Sequence, residues 1–493
     1  MEPIQPATKH SNSKTVMLLA AIITLGNLGT ILHKSSRVYL FQQAQCLCYY
    51  RLHDPTKIGL NYHVEESLCK LPAIQSRLSI VDGIDSFLQC LPPLLVLGMY
   101  RQLVDSVGLR SVLCFNLGCA ASAVLYSIAS FWLHQSWSTE AALLSVVFDL
   151  IGGGDSIRIT MACACIANIT PAENLTNVFN YISGFYFLAS VFGSAVGSIL
   201  LSNHVYVLNG LSISCYMITI SVATLVSPTC GRSNATGESA ETSRIASEHD
   251  PLIPVTSPGQ SNARCDSSKA SISRLLLCSW QASCKSLLAL FASPNPTFTV
   301  ILVLLINGLA LRIGAILPQY TSLALGWPLA TVNRLLALKA MVSAASLFAL
   351  PLLRRRFLEP RFSEGRGGAI AIDLLITHVS LVANAIGIIG LGFSSAGVAL
   401  FVISLCVFTS GAGLADSLIS FGTHTLAKGE LVADFYVRTG LVNAVAALIG
   451  GPMWSVAMSY AIRSGWIPIG TPFWVCAGLF GLGCVGVATL NRA

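Results

Sequence analysis

The sequence predicts an all-α polytopic membrane protein with twelve transmembrane helices in two six-helix halves. Three observations predict it. Charged residues make up only 10% of the chain and hydrophobic residues 54%, whereas a soluble domain carries about 25% charged residues. Apolar runs of roughly 20 residues, long enough to cross a bilayer core, recur along the chain. One long polar segment divides them six and six.

The first half covers residues 1–227. A polar stretch to Lys14 leads into apolar runs at 15–33, 79–100, 111–133, 141–168, 176–202 and 204–227. The first run is followed by no small-residue cleavage site, so it reads as a retained helix. Residues 34–77 read as an external loop. Residues 228–296 follow as a cytoplasmic linker, and Gly231–Ser273 is rich in Ser, Thr, Gly, Asn and charge. That composition predicts disorder. Arg274–Leu290 is amphipathic and is expected to lie on the membrane surface. The second half covers 297–493, with runs at 297–322, 330–353, 368–391, 396–424, 431–460 and 470–490. Two such halves around a linker fit an internal duplication.

Orientation follows from loop charge. Short loops on the side of the termini hold Lys14, Arg101, Arg110, Arg354, Arg355, Arg356 and Lys428; those opposite hold little beyond Arg463. The excess of Lys and Arg puts both termini in the cytoplasm. The 34–77 loop disagrees, since it would be external yet carries six Lys or Arg. It also holds Cys46, Cys48 and Cys69. An oxidising outer face permits a disulfide, with Cys69 joined to Cys46 or to Cys48. The remaining cysteines lie mostly in apolar runs, as Cys114, Cys163 and Cys406 do, and there behave as small hydrophobes. No CxxC pair stands near His, so neither a metal nor a cofactor is expected. No basic stripe interleaved with aromatics points to nucleic acid. No helix presents a nucleophile–base pair, so an enzyme is not expected.

Several stretches resemble the major facilitator superfamily. Between the second and third runs, Gly98–Leu113 reads GMYRQLVDSVGLRSVL. Leu103, Asp105, Gly108 and Arg110 fit that family's loop signature; Gln102, Ser106 and Leu109 depart from it. The resemblance implies a cytoplasmic gate of Asp105, Gly108 and Arg110, with the glycine permitting the reversal. The segments CYYRLHDP (Cys48–Pro55) and CKLPAIQSRL (Cys69–Leu78), the run Gly152–Gly154 followed by Asn168–Phe179, Ser410–Ser420 and Gly450–Pro452 look like a fungal branch of secondary-metabolite efflux carriers. That branch is distantly similar to proton-coupled folate transporters. Asn168 and Leu175 replace the acidic and basic residues of one latch in that pattern. In the fifth run, Ala189–Ser198 reads ASVFGSAVGS. Gly193 and Gly197 suit either an exporter motif or plain helix packing.

The resemblance implies a two-half alternating-access carrier, proton-coupled, exporting a small organic molecule as a monomer in the cell membrane. Its partners would be that substrate, protons and the lipid bilayer. An importer of the same fold and a non-transporting sensor or scaffold stay open. A charge inside a membrane usually has a partner or a task. Asp149, Asp155 and Arg158 fall in the fourth run and Arg312 in the seventh. Asp155 and Arg158 are three apart and share a helix face. With Gln319 and Tyr320 they are the expected substrate or proton pathway, Asp155 first and Asp149 second as proton carrier. Tyr181, Phe185 and Tyr186 suit either an organic ligand or packing. Lys339 and Asp373 lie in spans, Asp416 and Arg438 near cytoplasmic ends, and His33 at a solvated helix end. Glu248–Ile253, EHDPLI, resembles an acidic dileucine signal for a vacuolar address. Sequons at Asn168, Asn174 and Asn234 would face the cytoplasm.

Overall fold

The computed structural model describes residues 7–59, 62–132, 139–170, 172–201, 204–226, 296–362, 366–393, 397–425 and 432–490. The expected linker, its amphipathic end and the dileucine pattern lie outside them. Among the described residues regular structure is helical throughout. Eleven spans among these residues are long and apolar enough to cross a membrane. The remaining crossing, residues 139–169, escapes that measure because it is broken.

α1 runs from Ala7 to His53 without interruption. Neither Gly nor Pro occurs between Gly29 and Pro55, so nothing stops the helix at residue 33. It ends where Pro55 disfavours helical backbone at Asp54. The segment expected as a loop over 34–77 is therefore largely helical, and residues 54–71 connect α1 to α2 (Pro72–Val107). α2 closes on Gly108, whose φ of +88° suits glycine. α3 follows at once over Leu109–Trp132.

The fourth crossing comprises a 3-10 turn, Thr139–Ser145, then α4 (Val146–Gly152) and α5 (Gly154–Ile169). Gly153 and Gly154 take φ of +85° and +69° and separate the two helices. α6 (Ala172–Leu200) and α7 (Val205–Ala223) complete the half. In the second half α8 (Pro296–Leu311) and α9 (Leu317–Ala324) flank a 3-10 turn at Arg312–Ala315. α10 (Leu329–Leu353) and α11 (Arg366–Gly392) follow. α12 (Val398–Ser410) and α13 (Leu414–Thr425) flank a turn at Gly411–Gly413. α14 (Val432–Ser464) and α15 (Thr471–Leu490) follow. The fourth, seventh and tenth crossings are thus all discontinuous.

Each half packs around its own apolar core. Leu19, Ile23, Val112 and Leu117 centre the first; Val300, Leu391, Phe401 and Phe480 centre the second. Large apolar side chains such as Ile199, Ile386, Ile403 and Val485 face outward, as a lipid-facing surface requires. The halves meet along two seams, α2 with α14 and α6 with α10. These are the second crossing with the eleventh and the fifth with the eighth, a pairing that a six-helix duplication relates by two-fold symmetry. Small residues bring the backbones together. A Cβ on Gly83 would stand 2.6 Å from Ser455 Cβ, and one on Gly184 would stand 2.2 Å from Phe348 Cζ. Gly193 and Gly197 serve the same purpose inside the first half, against Ile31 and Ser35 of α1.

The far end of α1 and residues 54–71 form a small head. Cys46 is bonded to Cys69, with sulfurs 2.09 Å apart, and Cys48 is free. Around the bridge pack Leu47, Tyr50, Val64 and Ile74. Asp54 accepts from the Thr56 hydroxyl and amide, which hold its carboxyl below the usual carboxylate range. The head grips the second half. Lys70 Nζ donates to the carbonyls of Gly326 (2.7 Å) and Trp327 (3.0 Å), and Leu329 N donates to Glu66 Oε1 at 2.7 Å. The cation thus lies on carbonyls just past α9 and the anion at the start of α10, as helix dipoles favour. Desolvation against the other half pulls the Lys70 ammonium below its ordinary pKa. Ser79 and Ser459 add bonds to the Ser455 and Ser76 carbonyls.

Candidate functional site

Between the halves lies a cavity of about 610 Å³, walled by α1, α2, α3, α4, α5, α6 and α7 on one side and by the seventh crossing, α10 and α14 on the other. Discontinuous helices commonly frame transport sites, because freed backbone there lines a cavity rather than lipid. Two of the three broken crossings do so here. Asp149 and Asp155 flank the glycine break of the fourth, and Arg312 begins the turn that breaks the seventh.

The glycine break is held by side chains. Tyr100 Oη donates to the Ile151 carbonyl at 2.7 Å. Asn116 Nδ2 donates to the carbonyls of Gly152 (2.6 Å) and Gly154 (2.9 Å). Those of Ile151 and Gly152 are carbonyls that the end of α4 leaves without intrahelical partners. The clamp sets where the two flanking carboxylates stand.

Asp155 is paired with Arg158, as its spacing predicts. Arg158 is buried, stacks toward the Tyr216 ring at 6.0 Å and leans on Gly26, where a Cβ would stand 2.8 Å from Arg158 Nε. It braces Asp155 from behind rather than lining the cavity. Arg312 lines it, and Gly450 makes room for its stem: a Cβ there would stand 2.9 Å from Arg312 Cβ. Asp149 lines it and has no ion pair among the described residues.

Gln319 and Tyr320 are not cavity residues. Gln319 Nε2 donates to the Gln75 carbonyl and Oε1, joining the halves beside the head. Tyr320 is fully buried in the second core, stacked on Phe473, its hydroxyl donating to the Leu391 carbonyl. Tyr181 and Phe185 are exposed on the outer surface. His33 is no solvated helix end: it lines the cavity, with Nδ1 3.0 Å from Asn209 Oδ1. Asp373 is structural, bonded by Arg354 Nη1 at 2.9 Å and Ser420 Oγ at 2.7 Å. At the other end of α2, Gly108 makes the expected turn and Arg110 is exposed on α3. The side chains of Asp105, Asn168, Leu175 and Arg438 lie outside the described residues.

The structure adds charges that sequence reasoning did not place on the pathway, Lys339 among them although it was seen to lie in a span. Lys34 and Arg37 of α1, Asp82 and Asp85 of α2, and Lys339 of α10 all line the cavity. Arg37 is paired with Asp85, which also accepts from Gln89 Nε2 at 2.8 Å. The signal was present in sequence: two bases three apart and two acids three apart, each pair on one helix face.

A family model described as Major Facilitator Superfamily matches residues 86–451. The MFS efflux pump atnC of Emericella nidulans is 24% identical, with 98% of this chain and 89% of that protein covered. The MFS transporter SAT21 of Stachybotrys chartarum is 24% identical over 90% of each. Among solved structures, that of the human organic anion transporter MFSD10 (TETRAN) aligns with a TM-score of 0.58 and 16% identity, covering 97% of this chain and 99% of that one.

Proposed function

The chain belongs to the major facilitator superfamily, and from that premise we propose that it exports a small organic molecule of the secondary-metabolite kind. As a superfamily member it is a membrane-embedded transporter. The observation that carries the finer reading is the charged cavity shared by the two halves, set at the breaks of the fourth and seventh crossings. Rocking of the halves along the α2–α14 and α6–α10 seams would open that cavity to each side in turn. Relatives described as fungal efflux pumps favour the outward direction. The disulfide suits an external head, with the termini in the cytoplasm. The cell membrane is the proposed address, the vacuolar membrane its alternative.

Proton coupling falls to Asp149 rather than Asp155. Asp155 is committed to buried Arg158, while Asp149 faces the cavity with no ion-pair partner among the described residues. A proton from outside would neutralise Asp149 as cargo departs. Export is tested by deleting the gene and profiling retained and secreted metabolites. A compound that accumulates inside and disappears outside is expected; a compound depleted inside would identify an importer. Asp149→Asn is expected to abolish the response of flux to a pH gradient in vesicles, with the protein still present at normal level. Unchanged flux would remove Asp149 from coupling.

A further inference from the structure

The charges of the cavity are divided unevenly between its walls. All four carboxylates, Asp82, Asp85, Asp149 and Asp155, come from the first half. The second half contributes Arg312 and Lys339 and no acid. Two of the carboxylates are spent on Arg37 and Arg158. Among the described residues, Lys34, Arg312 and Lys339 have neither a hydrogen-bond acceptor nor a carboxylate partner, Lys339 having only the Phe408 ring 6.0 Å away, and Asp82 and Asp149 likewise lack ion pairs. Three unmatched cations therefore face two unmatched carboxylates, a formal surplus of one positive charge.

The two second-half cations line the same cavity from adjoining elements. Lys339 Nζ lies 3.5 Å from the position of a Cβ on Gly314, two residues beyond Arg312 in the same turn. Asn333, six residues before Lys339 on α10, lines the same cavity and supplies a neutral amide. Uncompensated charge inside a membrane protein is costly and marks a ligand path. A planar guanidinium and an ammonium lining one cavity suit a carboxylate, which accepts bidentate bonds from the first and a point contact from the second.

We propose that the cargo is an organic anion whose carboxylate is held by Arg312 and Lys339 of the second half, with Lys34 facing it from the first. This rests on the transporter reading and deepens it. Cargo and proton then occupy opposite walls of one cavity. A bound monoanion cancels the surplus charge, so the loaded carrier turns with its cavity neutral.

Binding is read on the purified full chain by thermal shift with 2-naphthoate and its uncharged amide. Only the carboxylate is expected to stabilise the protein. Arg312→Gln and Lys339→Gln weaken it about tenfold or more, the worth of a lost charged hydrogen bond. Lys339→Arg keeps most of the effect, and Arg334→Gln, an exposed position on the same helix, keeps all of it. Equal stabilisation by the amide, no stabilisation by either probe, or wild-type binding in both charge-loss variants overturns the proposal. The deletion profile is the separate arm. A retained compound that is neutral or cationic refutes the anion, whereas no redistribution of any compound refutes export and leaves the binding result to decide the site.

Discussion

Asn116→Ala removes the clamp on the glycine break, and its cost follows from what the amide satisfies. Asn116 is 3% exposed. Its Nδ2 serves two carbonyls at once, Gly152 at 2.6 Å and Gly154 at 2.9 Å. Gly152 is buried, so its carbonyl finds no water after the substitution, and an orphaned buried acceptor costs about 1–3 kcal/mol. Gly154 lines the cavity, where water can replace the lost donor, so this bond contributes only its net worth of about 0.5–1.5 kcal/mol. The total is about 1.5–4.5 kcal/mol, and it is local. It loosens the junction between α4 and α5, which fixes Asp149 and Asp155. Scanning fluorimetry of the purified protein reads the stability change, and flux under a pH gradient reads the functional one. The thermal midpoint is expected to fall by several degrees, with coupled flux falling further than the surviving folded fraction accounts for. Asn116→Ala protein that melts and transports like wild type would show that the backbone holds the break unaided.

The head and the seams make further expectations. Glu66→Gln with Lys70→Gln weakens the grip on residues 326–329 and shifts the carrier toward states open at the disulfide end. The partly exposed bonds sum to about 1–2 kcal/mol, or roughly tenfold in labelling rate of a single cysteine placed at Leu336 on the cavity wall. An unchanged rate would mean the grip contributes nothing to closure. Gly184→Val drives a side chain into the space of the Phe348 ring and separates α6 from α10; transport is expected to be lost while each half keeps its core, and Phe348→Ala in the same chain restores part of it. Failure of that rescue, with the protein folded, would place the defect elsewhere.

The twelve crossings were legible because lipid imposes one strong rule on composition, and the two halves followed from the polar segment between them. Asp149, Asp155, Arg158 and Arg312 were legible by the same rule, since charge inside an apolar run stands out. Lys34, Arg37, Asp82 and Asp85 were not, for a related reason. They fall at the edges of apolar runs, where hydropathy alone ended the first helix at residue 33 and began the second at 79. Nothing local breaks α1 there, and the absence of Gly and Pro up to Pro55 was the better guide. The correction also dissolves the anomaly of a basic external loop. Of its six cations, Lys34 and Arg37 stand in the cavity, Lys70 on the carbonyls past α9, and Arg51 over the Tyr62 ring at 5.8 Å. Gln319 and Tyr320 were misread because hydrogen-bonding capacity near a helix end does not reveal direction; Tyr320 turns its ring toward Phe473. Which glycines carry the seams was also hidden, since that depends on helices far apart in sequence.

The uninterrupted length of α1 has a mechanical consequence. At about 1.5 Å per residue its 47 residues span about 70 Å, more than twice a bilayer core of about 30 Å. From Arg37 in the cavity to His53 at the tip is a stiff arm of about 24 Å. A tilt of about ten degrees in the first half therefore sweeps the tip through about 4 Å, farther than the 2.7 Å between Lys70 Nζ and the Gly326 carbonyl. The disulfide makes the head ride on that lever as one piece. Small rotations at the cavity are thus converted into all-or-none release at the rim, so the carrier signals the state of its centre at its outer edge.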